Sequence, residues 1–236
     1  MSQQPLLEIS GLHKDYGGLR PLRIAQLTVQ HGDVLSINGL DAMAAETFVH
    51  LMTGATLPDS GEVTLFGRST RTITDREAWL KSLDGIGMIT SRGILIEAFS
   101  VLQNIAMSLT LDVDPIDPRV LPQAGSLARE AGIAADAFDL PAGSVAADVR
   151  MRVHVARAVA LGPRMLLAEH ASAALPRESV PAFGRDLTCL AKGRGLALLA
   201  MTADEALAKA IGGRRLELVP STGELRPPGL LKKLFG

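Results

Sequence analysis

Four carboxylates and a histidine stand where this chain leaves apolar segments. Asp41 and Glu46 lie in NGLDAMAAETF, Asp148 in VAADV, and Glu169 and His170 in MLLAEHA. Carboxylates in such places can hold a divalent cation or move a proton, and a histidine can act as a general base near neutral pH. The first pair has the most informative setting. Ser36 to Gly67 reads as a buried strand, a tight turn, a helix and a glycine-punctuated hairpin. That is how a phosphate-binding loop is built: glycines let backbone N–H groups wrap phosphate, a lysine reaches the outer phosphates, and a hydroxyl holds Mg²⁺. Of the pattern GxxGxGK followed by Ser or Thr, only Gly39 survives. The next glycine positions are Ala42 and Ala44, the lysine position is Ala45, the metal-binding hydroxyl is Glu46, and Thr47 follows. A carboxylate at position 46 would face triphosphate. Two like unit charges about 4 Å apart at an effective dielectric of about 20 repel by about 4 kcal/mol.

Elements that must position these residues alternate along the chain. Leu6–Ile9, Leu22–Val29 and Val34–Ile37 read as short strands separated by the turn signals KDYGG and QHGD. Ala44–Met52 reads as a helix closed by Gly54, and GEVTLFG after Pro58-Asp59-Ser60-Gly61 as a strand. A helix is expected over Asp75–Leu83 with Thr74 as N-cap. Ile86–Ile89 is a short strand, and Ser100 to about Phe138 is helical except for DVDPIDP. Val149–Ala160, Arg177–Lys192 and Asp204–Ile211 read as helices. Met165–Ala168 and Leu196–Met201 read as buried strands, and Leu216–Val219 with Glu224–Leu225 as a closing hairpin. The alternation implies an α/β chain with a mostly parallel central sheet, and the opening strands imply an antiparallel β subdomain.

Composition narrows the function classes. The 236 residues are 47% apolar with a net charge of −1, so no overall charge excess points to nucleic acid or to disorder. Aromatics are scarce, which argues against single-stranded nucleic acid held by stacking. No apolar run is long enough to span a bilayer; GLALLAM is typical. MSQQPLLEI lacks the basic and apolar regions of a secretory signal. The single Cys189 forms no intrachain disulfide, suits a reducing compartment, and is expected in the core within the apolar pattern DLTCLA. The histidines show no metal spacing, and no metal site is expected.

Taken in order, these pieces resemble the nucleotide-binding subunit of an ABC transporter, from about Leu6 to Leu225. LEISGLHKDYGGLRPL is similar to the opening strand and the aromatic loop that stacks on adenine, with Tyr16 at the aromatic position. GDVLSINGLDAMAAETF resembles the P-loop, and TGATLPDSGEVTLFGR the segment after it. IGMITSRGILIEAFSVLQNIAMSL resembles the glutamine loop and the entry to the helical subdomain. RMRVHVARAVALGPRMLLAEHASAALP resembles the signature helix and the Walker B strand, and LALLAMTADEALAKA the switch strand. The resemblance implies a P-loop NTPase-like core with a helical subdomain over about 92–160. It makes residues 1–225 one domain and 226–236 a tail.

The same resemblance exposes what is missing. Ser91 stands at the glutamine, Glu169 at the Walker B aspartate and His170 at the glutamate that activates water. Pro176 replaces the loop aspartate and Ala203 the switch histidine. The signature LSGGQ corresponds to Val145–Val149, with Asp148 at a glycine, or in a rival register to LPAGS, Leu140–Ser144. Scaffold positions such as Gly54, Gly61, Asn104, Arg157 and Pro163 stay close to pattern. The expectation is therefore a subunit without ATPase activity. Tyr16, Gly39 and Thr47 would be a vestigial nucleotide site, and ATP with Mg²⁺ would be poorly held or not at all. The carboxylates are expected to be solvated or paired with Arg150 or Arg152. Implied partners are a permease touching Ser91 and Ile94–Phe99 and an active homologous ATPase subunit, with the chain on the cytoplasmic side of a membrane.

Overall fold

The computed structural model describes residues 4–73, 75–90 and 92–229. Its strands are β1 (Leu7–Lys14), β2 (Leu22–Val29), β3 (Val34–Asn38), β4 (Ser60–Leu65), β5 (Arg68–Ser69), β6 (Ile86–Thr90), β7 (Met165–Glu169), β8 (Ala197–Met201), β9 (Arg214–Val219) and β10 (Glu224–Arg226). Its helices are α1 (Ala42–Met52), α2 (Arg76–Leu83), α3 (Val101–Ala106), α4 (Leu121–Glu130), α5 (Ala147–Val159), α6 (Val180–Gly193) and α7 (Glu205–Ile211).

Two sheets result. One has six strands in the order β10-β9-β3-β8-β7-β6, parallel except for the edge strand β10. The other is antiparallel, in the order β2-β1-β4-β5. Both faces of the parallel sheet are covered, which is why β7 and β8 read as unbroken apolar runs. Strand alternation then divides them between two cores. Met165, Leu167, Leu199 and Met201 join the antiparallel sheet and α1. Leu166, Ala168, Leu198 and Ala200 join α3 to α6. Gly61, the second residue of β4, has φ +82°, and a Cβ there would overlap the carbonyl of Gly11. Glycine therefore lets β4 lie against β1.

Several boundaries differ from the sequence reading. β1 runs to Lys14 through the polar stretch after Ile9, because pairing with β2 carries it on. α2 begins at Arg76 with the Asp75 carboxylate accepting the Ala78 N–H, so Asp75 caps it; Thr74 lies outside the described residues. The break expected at DVDPIDP is present but wider: α3 ends at Ala106, and α4 runs from Leu121 only to Glu130. Cys189 is exposed, not core. The buried stripe of α6 is Phe183, Leu187, Leu190 and Ala191, and position 189 falls off that stripe.

Candidate functional site

Parallel register gathers the chemistry at one edge. Ile37 pairs with Met201, Glu169 with Met201, and Thr90 with Glu169. The carboxyl ends of β3, β8, β7 and β6 therefore open onto a common rim, the usual place for a ligand in such sheets.

The loop leaving β3 is closed upon itself. Gly39, at φ +97°, donates its N–H to Asn38 Oδ1 at 2.7 Å. Asp41 caps α1, its Oδ1 accepting the Ala44 N–H at 2.8 Å. That cap starts the helix two residues earlier than the apolar pattern suggests. Two N–H groups that would turn toward a phosphate are thus held by resident side chains, one of them anionic. Ala45, at the lysine position, is fully buried against the core that holds Phe48. Thr47 donates its hydroxyl back to the Met43 carbonyl at 2.8 Å. Tyr16 is half-buried, and its phenol is held above the usual range by burial and then by the negative charge of Asp41.

Glu46 and Glu169 meet through a cation that sequence reasoning missed. Arg92 Nη1 lies 2.5 Å from Glu46 Oε1. Arg92 Nη2 donates to both carboxylate oxygens of Glu169, at 2.7 and 2.6 Å. Glu169 ends β7 and is only 6% exposed, so its charge needs a partner. The hydrogen bond and charge of Arg92 hold the Glu46 carboxyl below the usual range. Hydrogen bonds to Glu46 and then Glu169 raise the guanidinium's own pKa. The expected partners are engaged elsewhere: Arg150 donates to the Val145 carbonyl, and Arg152 binds Asp186 and the Ala131 carbonyl. Two acidic residues at metal-facing positions were the signal for a compensating cation, and Arg92 directly follows the glutamine position. Ser91 itself lies outside the described residues.

His170 follows Glu169 at φ +43°, a strained value for a non-glycine residue. Its N–H donates to the Met201 carbonyl at 2.9 Å, and its buried Nε2 has no hydrogen-bond partner. With Thr202 and Ala203 it lines an open groove of about 800 Å³. Asp148 sits half-buried in the first turn of α5, which has Ala146 as N-cap without a side-chain bond. LPAGS forms a turn closed by Ser144 N–H to the Pro141 carbonyl, so VAADV is the segment at the helix start. Among the described residues, no three His, Cys, Asp or Glu side chains are grouped to hold a metal. Glu46 and Glu169 come together on Arg92 as a pair.

No family model matches the chain. It is 29% identical over 214 residues to the methionine import ATP-binding protein MetN of Mesorhizobium japonicum, covering 90% of this chain and 58% of that protein. It is 32% identical over 208 residues to the ribose import ATP-binding protein RbsA 1 of the same organism, covering 84% of this chain and 38% of that protein. Its homologues are ABC transporter ATP-binding subunits. The chain spans less than two thirds of the length of either relative. In fold it is an ABC ATPase cassette. It matches cbiO1 from Clostridium perfringens, part of the transporter complex cbiONQ, at TM-score 0.79 and 19% identity over 99% of this chain and 91% of that one. It matches the dimeric bacterial cassette MJ0796 at TM-score 0.73 and 20% identity over 93% and 96%.

A cassette of this fold implies Mg²⁺ with ATP. The residues present do not fit that pair. Asp41 occupies the helix N-terminus, Ala45 offers no cation, and Arg92 stands between the carboxylates at the two metal-facing positions.

Proposed function

We propose that this chain is an ABC-type subunit without ATPase activity, serving as a structural or regulatory part of a membrane transport complex. One observation carries the reading: Arg92 bridges Glu46 and Glu169, so an internal guanidinium engages both groups that would face the metal. The import ATP-binding proteins among its homologues support the transport setting.

The reading treats 1–225 as one cassette with a helical subdomain over about 92–160 and a tail from 226 to 236. Its partners are a permease and an active homologous ATPase subunit, forming a heterodimer. The permease contact is assigned to Ser91 and Ile94–Phe99. Ile94 is 83% exposed and Ile96 38%, which supports it, whereas Leu95 and Phe99 pack inward. Arg157 Nη1 donates to the Ile94 carbonyl at 2.9 Å, and the fully buried Asn104 holds Ile96 through both its N–H and its carbonyl. That loop is therefore well braced for a contact. Among the described residues no helix is long and apolar enough to cross a membrane. The reading puts the chain at the cytoplasmic face, held there by the permease.

Phosphate release by the purified chain with Mg²⁺–ATP tests the reading. The expected rate equals that of buffer, in wild type and in His170→Ala alike. Release that disappears in His170→Ala would make the chain a divergent ATPase with His170 as its base.

A further inference from the structure

We propose that Arg92 is a resident cation that ties the loop leaving β6 to the core, so that the permease-facing surface is held in one position whatever the nucleotide. The inference rests on the reading of the site as one that holds no Mg²⁺–triphosphate.

Arg92 joins three elements. Glu46 belongs to α1, Glu169 ends β7, and Arg92 lies two residues beyond β6. Its fork makes one ion pair to Glu46 and two hydrogen bonds to Glu169. A planar guanidinium can engage two carboxylates at once, one through each terminal nitrogen, and a charge-assisted hydrogen bond to a buried carboxylate is among the stronger polar contacts. The Arg92 N–H also reaches Thr90 Oγ1, and Gly93 N–H the Thr90 carbonyl. The chain then runs straight into the segment braced by Arg157 and Asn104. A diffusible metal ion links such elements only while it is bound. A tethered cation is at high effective concentration at all times. Two carboxylates share this one guanidinium, and the lysine position adds no second positive charge, so Arg92 is the cation on which both depend.

Hydrogen exchange over residues 92–99 tests the proposal, in wild type, Arg92→Ala, Arg92→Lys and the double variant Arg92→Ala with Glu169→Gln. Each is measured with and without millimolar Mg²⁺–ATP. Wild type should exchange identically in both conditions. Arg92→Ala should exchange about tenfold faster or more, since opening of the loop loses its charge-assisted bonds. Lysine should restore part of the protection, because one ammonium cannot fork to both carboxylates. The double variant removes the uncompensated buried charge. It should stay folded while its loop exchanges as fast as in Arg92→Ala, which keeps the test open if the single variant fails to fold. Unchanged exchange in the folded alanine variants would overturn the lock. Calorimetry on the same wild-type sample separates the two failures: nucleotide binding there overturns the reading of the site as one that holds no Mg²⁺–triphosphate, whereas unchanged exchange without binding overturns the lock alone.

Discussion

Glu46 shows how a single side chain can change what a loop is for. At a position that would face metal and phosphate, its charge would oppose both the phosphate and Glu169. Arg92 converts that conflict into an ion-paired bridge. The pairing makes a pH prediction. The Glu46 pKa is lowered in the folded protein, so its contribution to stability is present in full above its unfolded value, about 4.3. It is lost as the pH falls through the lowered folded value. Denaturant melts from pH 6 downward should show Glu46→Gln with a shallower acid loss than wild type and with a smaller deficit at low pH than at pH 6. Superimposable acid limbs would contradict the pairing. Glu46 and Glu169 could be located from the sequence because each matches a motif position of the family the chain resembles. Arg92 could not. Sequence offered Arg150 and Arg152 as nearby cations, and only the parallel pairing of Thr90 with Glu169 brings position 92 to the site. Cys189 failed for a related reason: flanking leucines suggest burial, but helical phase decides it.

At the scale of elements, the start of α1 and the loop before α3 carry the argument. Asp41→Ala removes the cap that holds the Ala44 N–H and should cost about 1 kcal/mol, read as a shift in urea midpoint at unchanged slope. Asn104 is wholly buried and spans Ile96, Phe99 and Ser100 with its amide. Asn104→Ala leaves several of those backbone groups without a partner and should cost about 2 to 4 kcal/mol, with faster exchange confined first to residues 96–100. Most elements were legible because their apolar periods are clean: β2 and the buried strands β7 and β8 stand where alternation and length put them. Boundaries were less so. Asp75 and Thr74 are both good caps by type, and only geometry shows that Asp75 holds the Ala78 N–H. Sequence favoured VAADV over the rival LPAGS for the signature segment, and α5 begins at Ala147, inside VAADV.

For the whole molecule, fold and chemistry have separate requirements. The two cores depend on glycines, apolar faces and braces that the sequence keeps, so the cassette stands without the residues that would handle phosphate. The order of motifs made that fold readable in the sequence. The rim's occupant was not readable, because it depends on which side chains meet in space. The most direct test is calorimetric titration of the purified chain with Mg²⁺–ATP up to millimolar concentration. The account predicts no heat beyond dilution, and the same for wild-type samples in which Mn²⁺ replaces Mg²⁺. A saturable isotherm at micromolar affinity would contradict it, and would mean that Arg92 leaves Glu46 and Glu169 to make room for a metal and a triphosphate.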